Sequence, residues 1–132
     1  GVDIEEMLEV EYARLAKACF HADERALLDN AAERDRRLLF YKLWTLKESY
    51  VKAVGLGFSI PPDRFAIRLD NSGGASLPAR PEYRFSTEVF LSDYALAVCA
   101  VAPRELAIFR RVCRASELLD ESGWVKRTIG DS

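Results

Sequence analysis

From Glu33 to Val54 the chain contains no glycine and no proline, and most of its residues are good helix formers. Leu39, Leu43, Leu46, Tyr50 and Val54 step by three or four, which puts them on one core-facing stripe of a single long helix. Gly55 and Gly57 end it. In the loop "GLGFSIPPDRF" that follows, Pro61-Pro62 can neither continue a helix nor pair in a central strand. The hydrophobic period then drops to two: "FAIRLD" alternates, "NSGG" marks a turn, and "EYRFSTEVFLSDYALAVCAVA" reads as two strands with a bend at Ser92-Asp93. The second of these is nearly all apolar, which suits a central position in a sheet.

Ahead of the long helix, "GVDIE" alternates like a strand, with Val2 and Ile4 on one face and Asp3 and Glu5 on the other. Apolar residues at near-helical spacing predict a helix from Met7 to Phe20. "HADERALLDN" predicts a second, capped by His21 or Asp23 and ending at Asn30. The tail "LAIFRRVCRASELLDESGW" reads as a further strand and a short helix. Helices early and strands late point to an α+β domain spanning residues 1–132.

Composition sets the outer limits. The 132 residues suffice for one domain with a real core, and 49% hydrophobic against 30% charged is a globular balance. A net charge of −2 gives no support for a general nucleic-acid binder. Cys19, Cys99 and Cys113 are odd in number and lack C-x-x-C spacing, which argues for buried free thiols in a reducing, cytoplasmic setting. The run "YALAVCAVA" is far below the ~20 residues of a membrane span. No signal peptide is visible, although a chain starting at Gly1 without methionine reads as trimmed.

Two groups of residues could do chemistry. Asp3 and Glu5 share a face of a strand end, and like charges that close call for a cation; a hard divalent ion such as Mg²⁺ takes such oxygen ligands. On the long helix Trp44, Glu48 and Lys52 are four apart and share a face, with Lys47 about 100° away. Glu48 could complete a metal site flanked by two lysines that hold phosphates as point charges. On spacing alone, an exposed acidic pair and an ordinary i,i+4 Glu–Lys surface pair stand ahead of the metal site. Other chemistry finds no motif. Gly55-Leu56-Gly57 lacks the third glycine and the strand before it. His21, the only histidine, sits where a helix-end surface residue belongs, and Arg34, Arg36 and Arg37 read as a solvated helix face.

Together, "GVDIE" and "WTLKESYVKAVGLG" resemble the paired signature of 4′-phosphopantetheinyl transferases, G-[VI]-D-[VI]-E and W-x-x-K-E-[SA]-x-x-K-x-x-G-x-G. The tryptophan points to the Sfp-type group, and the likeness extends through "FSIPPDRFAIRLD" and "YALAVCAVAP". The resemblance implies a long signature helix packed on an antiparallel sheet, as one half of a pseudo-dimer. It implies transfer of the phosphopantetheine arm of coenzyme A to a serine of an acyl or peptidyl carrier protein. Carried over by position, Asp3, Glu5 and Glu48 would bind Mg²⁺, and Lys47 and Lys52 would contact coenzyme A phosphates. Glu48 would also act as the base, directly or through water, with Lys52 beside it in the catalytic group. Glu24 looks like the acid of a short motif between the two signatures, and Tyr12 and Leu15 would face the carrier protein or pack in the core. Sfp-type enzymes usually have an upstream half that this sequence lacks. The expectation is a C-terminal half, or else a homo-oligomer that replaces the missing partner. A non-catalytic domain that binds coenzyme A or a carrier protein is the alternative from another class.

Overall fold

The computed structural model describes residues 1–107, Phe58 by its backbone only. The chain runs β1 (Val2–Glu6), α1 (Tyr12–Cys19), α2 (Ala22–Asn30), α3 (Glu33–Val54), two short 3₁₀ turns (Gly57–Ser59 and Pro62–Arg64), β2 (Arg68–Leu69), β3 (Ala75–Ser76), β4 (Tyr83–Phe90) and β5 (Tyr94–Val101). The main sheet is antiparallel in the order β1-β5-β4, so the apolar strand is central as its composition requires. β2 and β3 form a separate small pair. The strand and helix expected in the tail, and Cys113, lie outside the described residues.

α3 lies across β5 and β1. Its expected stripe is inward: Leu43 and Leu46 are fully buried and Tyr50 nearly so, with Leu39 and Val54 packed at the margins. Full burial of a leucine side chain stabilises by about 2 kcal/mol. Beneath the helix, Ala95 and Ala97 are buried and stand opposite Glu5 and Asp3 in the sheet register. Such small residues let helix and sheet approach closely. Gly1 marks the closest approach. Its carbonyl accepts from Cys99 N at 2.8 Å, and a Cβ there would collide with the Ser49 carbonyl oxygen, the Ala53 amide nitrogen and Lys52 Cβ. Two residues beyond Ala53, Gly55 closes α3 with φ of +76°, the left-handed conformation that favours glycine.

Two elements differ from their sequence expectation. The first helix begins at Tyr12, not Met7, because the Met7 amide donates to Asp93 O at 2.7 Å and its side chain enters the core. The shift turns Ala16 inward and leaves Leu15 exposed, while Tyr12 packs at a tilt against Phe40, ring centroids 5.3 Å apart. The alternating "FAIRLD" yields a strand of only two residues, Arg68–Leu69. The reason is local. Phe65 O accepts from Lys47 Nζ at 2.6 Å and Ile67 N donates to Glu24 Oε1 at 2.8 Å, so side chains take the backbone groups a longer ladder would use. The bend between β4 and β5 is as expected, with Leu91 and Ser92 at positive φ (49° and 66°). No helix among the described residues is long and apolar enough to cross a membrane.

Cys19 and Cys99 are free thiols, half-buried and buried. Burial pushes the Cys99 thiol up to about 11 from its ordinary 9.0. Native protein in mildly alkaline buffer is therefore expected to leave Cys99 unalkylated by iodoacetamide, whereas denatured protein labels fully, as read by peptide mass. A folded value above the unfolded one means that this thiol's contribution to stability is intact below the unfolded value and is lost as pH rises through the folded value.

Candidate functional site

β1 has its polarity inverted. Asp3 points under α3 with 6% exposure, while Val2 and Ile4 face outward at 54% and 49%. A strand that buries its acid and exposes its aliphatics gives up folding free energy, as sites built for ligands do. Asp3 Oδ1 accepts from Lys52 Nζ at 2.6 Å, and the same ammonium donates to Val2 O at 3.2 Å. Asp3 Oδ2 is buried and has no hydrogen-bond partner. One strand step on, Glu5 Oε1 accepts from the Trp44 indole at 3.4 Å.

These contacts fix which face of α3 meets β1. Trp44 reaches Glu5 and Lys52 reaches Asp3; Glu48 lies one turn from each on the same face and is half-buried. Burial raises the Glu48 carboxyl above its ordinary value, the charge of Asp3 raises it further and Glu5 adds to this, against the opposing pull of Lys52. The hydrogen bond to Asp3 in turn raises Lys52. Three acids and one lysine thus form a single electrostatic unit with surplus negative charge. Among the described residues no group of three or more His, Cys, Asp or Glu is gathered as a ready metal cage. The orphaned buried Asp3 oxygen, in the field of two further acids, has the chemistry that a hard, oxygen-seeking cation would take.

The structure separates the two lysines that spacing had bracketing one ligand. Lys52 is at the surface, but Lys47 is fully buried. Its ammonium donates to Glu24 Oε1 at 2.9 Å, Glu24 Oε2 at 2.7 Å and Phe65 O at 2.6 Å, over the Phe65 ring at 4.1 Å. Three donors meet three acceptors, leaving none for a phosphate. The expectation that Lys47 contacts coenzyme A phosphates is corrected on this ground. Burial draws its pKa down and Glu24 opposes this. Glu24 is also fully buried and accepts from Ile67 N at 2.8 Å and from His21 N at 3.0 Å. His21 in turn caps α2, its Nδ1 accepting from Asp23 N at 3.2 Å, which fulfils the helix-end role expected of it. Sequence reasoning missed the Glu24–Lys47 pair, though one signal was present: Lys47 is four residues after Leu43 and three before Tyr50, on the buried stripe itself.

Comparison with known proteins identifies the family. A family model described as the 4′-phosphopantetheinyl transferase superfamily matches residues 1–99. The chain is 35% identical over 109 residues, 78% of its length, to the 4′-phosphopantetheinyl transferase ffp of Bacillus subtilis. It is 40% identical over 67 residues, 51% of its length, to gsp of Aneurinibacillus migulanus. The matches cover 47% and 28% of those proteins, and the chain spans about half the length of several curated relatives it matches. Among solved structures, a holo-(acyl-carrier-protein) synthase from Bacillus anthracis, in complex with CoA (3′,5′-ADP), superposes with a TM-score of 0.63 at 22% identity, covering 74% of this chain and 89% of that one. The corresponding synthase from Neisseria meningitidis gives 0.59 at 20%, covering 75% and 93%. At such identities the two structures speak for the fold. With both signatures on one helix–strand contact and the family match running from Gly1 to Cys99, the chain belongs to the 4′-phosphopantetheinyl transferase superfamily.

Proposed function

We propose that the protein transfers the phosphopantetheine arm of coenzyme A to a serine hydroxyl of a carrier protein, with adenosine 3′,5′-bisphosphate as the leaving group. The observation that carries this is the buried Asp3 carboxylate, with one oxygen on Lys52 and the other unpartnered, in the electrostatic field of Glu48. Asp3, Glu5 and Glu48 would hold Mg²⁺, which when bound would neutralise the charge that builds on the pyrophosphate oxygens. Lys52 then has a second task open to it, since its exposed ammonium can turn from Asp3 to a phosphate. Glu48 would serve as base toward the serine, directly or through one water; a metal that it ligates would weaken it as a proton acceptor, which favours the relay. The base lowers the cost of forming the alkoxide; the lysine stabilises the departing phosphate.

A groove of about 860 Å³ beside α1 and α2, lined by Arg14, Lys17, Arg25 and Arg36 together with Glu11 and Asp29, has a net excess of cationic side chains for an acidic carrier surface. Because the chain spans 47% of relatives such as ffp, a partner half or a second copy belongs to the same proposal, as do coenzyme A and a cytoplasmic setting. The non-catalytic reading stays distinct and makes a different forecast. Incubation with coenzyme A, Mg²⁺ and an apo carrier protein is expected to raise the carrier's mass by one phosphopantetheine, and chelation of the metal is expected to stop it. Saturable coenzyme A binding without any mass gain, in the full-length chain, would leave only a binding domain.

A further inference from the structure

Resting on that transferase reading, we infer that the Glu24–Lys47 pair is a positioning device that fixes the rotation of α3, so that Glu48 is presented to Asp3 and Glu5. The pair ties three segments at one point. Glu24 stands at the N-terminal turn of α2, Lys47 on α3, and the backbone of Phe65 and Ile67 on the segment leading to β2. Five hydrogen bonds converge there, three from the ammonium and two into the carboxylate from Ile67 N and His21 N.

Stability alone does not account for charges in such a place. Desolvating two ions is costly, and apolar residues of similar volume commonly serve as well or better. What an ion pair adds is direction. An apolar pair fills the same space but lets a helix roll by a fraction of a residue, whereas an ammonium held by three acceptors does not. Glu48 follows Lys47 directly, about 100° around the helix axis, so anchoring one side chain sets the bearing of the next. A roll that moved Glu48 by about 1 Å would lower turnover by about 100-fold, by the usual sensitivity of chemistry to misplacement.

The test is the double variant Glu24→Leu with Lys47→Met in the full chain, compared with wild type. The expected result is a folded protein, by circular dichroism, in which kcat falls about 10- to 100-fold while KM for coenzyme A is unchanged. Titration with Mg²⁺ alone is expected to show weaker binding than wild type. Unchanged kcat, or a rise in KM at constant kcat, overturns the positioning role; the second result would make Lys47 a phosphate contact. Should the double variant not fold, the wild-type lysine ammonium signals decide by nitrogen-15 NMR. Adding coenzyme A and Mg²⁺ is expected to shift Lys52 and leave Lys47 in place, and a shifted Lys47 overturns the inference. Wild-type protein that neither binds coenzyme A nor modifies a carrier fails differently: it removes the transferase reading itself, and the positioning role with it.

Discussion

Glu48→Gln is expected to lower transfer to the carrier protein by roughly 10²- to 10⁴-fold, the range for loss of a positioned acid–base group, with the fold intact. Glutamine keeps the shape and length of the side chain, so α3 and its packing are undisturbed. What goes is a negative charge on a half-buried face already occupied by Asp3 and Glu5. The sign of the stability effect follows from the raised carboxyl. A folded-state value above the unfolded one means that the contribution is whole below the unfolded value and is lost as pH rises through the folded value. At neutral pH without metal, wild type carries this loss and the glutamine variant does not. Thermal unfolding in chelator is therefore expected to show the variant equal to or above wild type, with the difference shrinking on acidification. Single-turnover loading followed by mass spectrometry measures the activity side. A variant that loads its carrier at near-wild-type rate removes Glu48 from the chemistry.

Gly1→Ala is expected to have the second-largest effect, and through space alone. The added methyl would meet two backbone atoms, the Ser49 carbonyl oxygen and the Ala53 amide nitrogen, neither of which can swing aside. Either the start of β1 or the C-terminal part of α3 must move. Overpacking of this kind costs about 1–3 kcal/mol, and the displacement falls on the strand that carries Asp3 and Glu5. Mg²⁺ binding by calorimetry is expected to weaken along with the thermal midpoint. Gly55→Ala is the control: its φ of +76° carries a conformational penalty, but nothing lies within 4 Å of the new methyl. It should lose about 1–2 kcal/mol of stability and no metal affinity. Equal losses of metal affinity in the two variants would separate the site from the close approach at Gly1.

Much of this was legible in the chain because it rests on local periods. A period of two placed Asp3 and Glu5 together on one face, and a period near 3.6 placed Trp44, Glu48 and Lys52 together on another. The meeting of those two faces came from the family signature, not from spacing. What stayed hidden depends on partners far apart in sequence. Lys47 reads as a phosphate-holding lysine until Glu24, 23 residues earlier, is brought to it. The same network truncated the strand expected in "FAIRLD", since no local pattern announces that Phe65 O and Ile67 N are claimed by side chains. The helix expected from Met7 started late because the Met7 amide is claimed by Asp93, near the far end of the described chain.

The pairing of β1 with β5 has a consequence for how the protein comes into being. Val2 finds its register against Val98, so β1 has no neighbour until a strand far later in the chain has been made. Closing so long a loop is entropically slow, and the acids of β1 acquire their helix-side company only when it closes. Nascent chains halted before Val98 are therefore expected to have a formed α3 yet no grip on divalent ions, and competence should arrive abruptly with the closing strand.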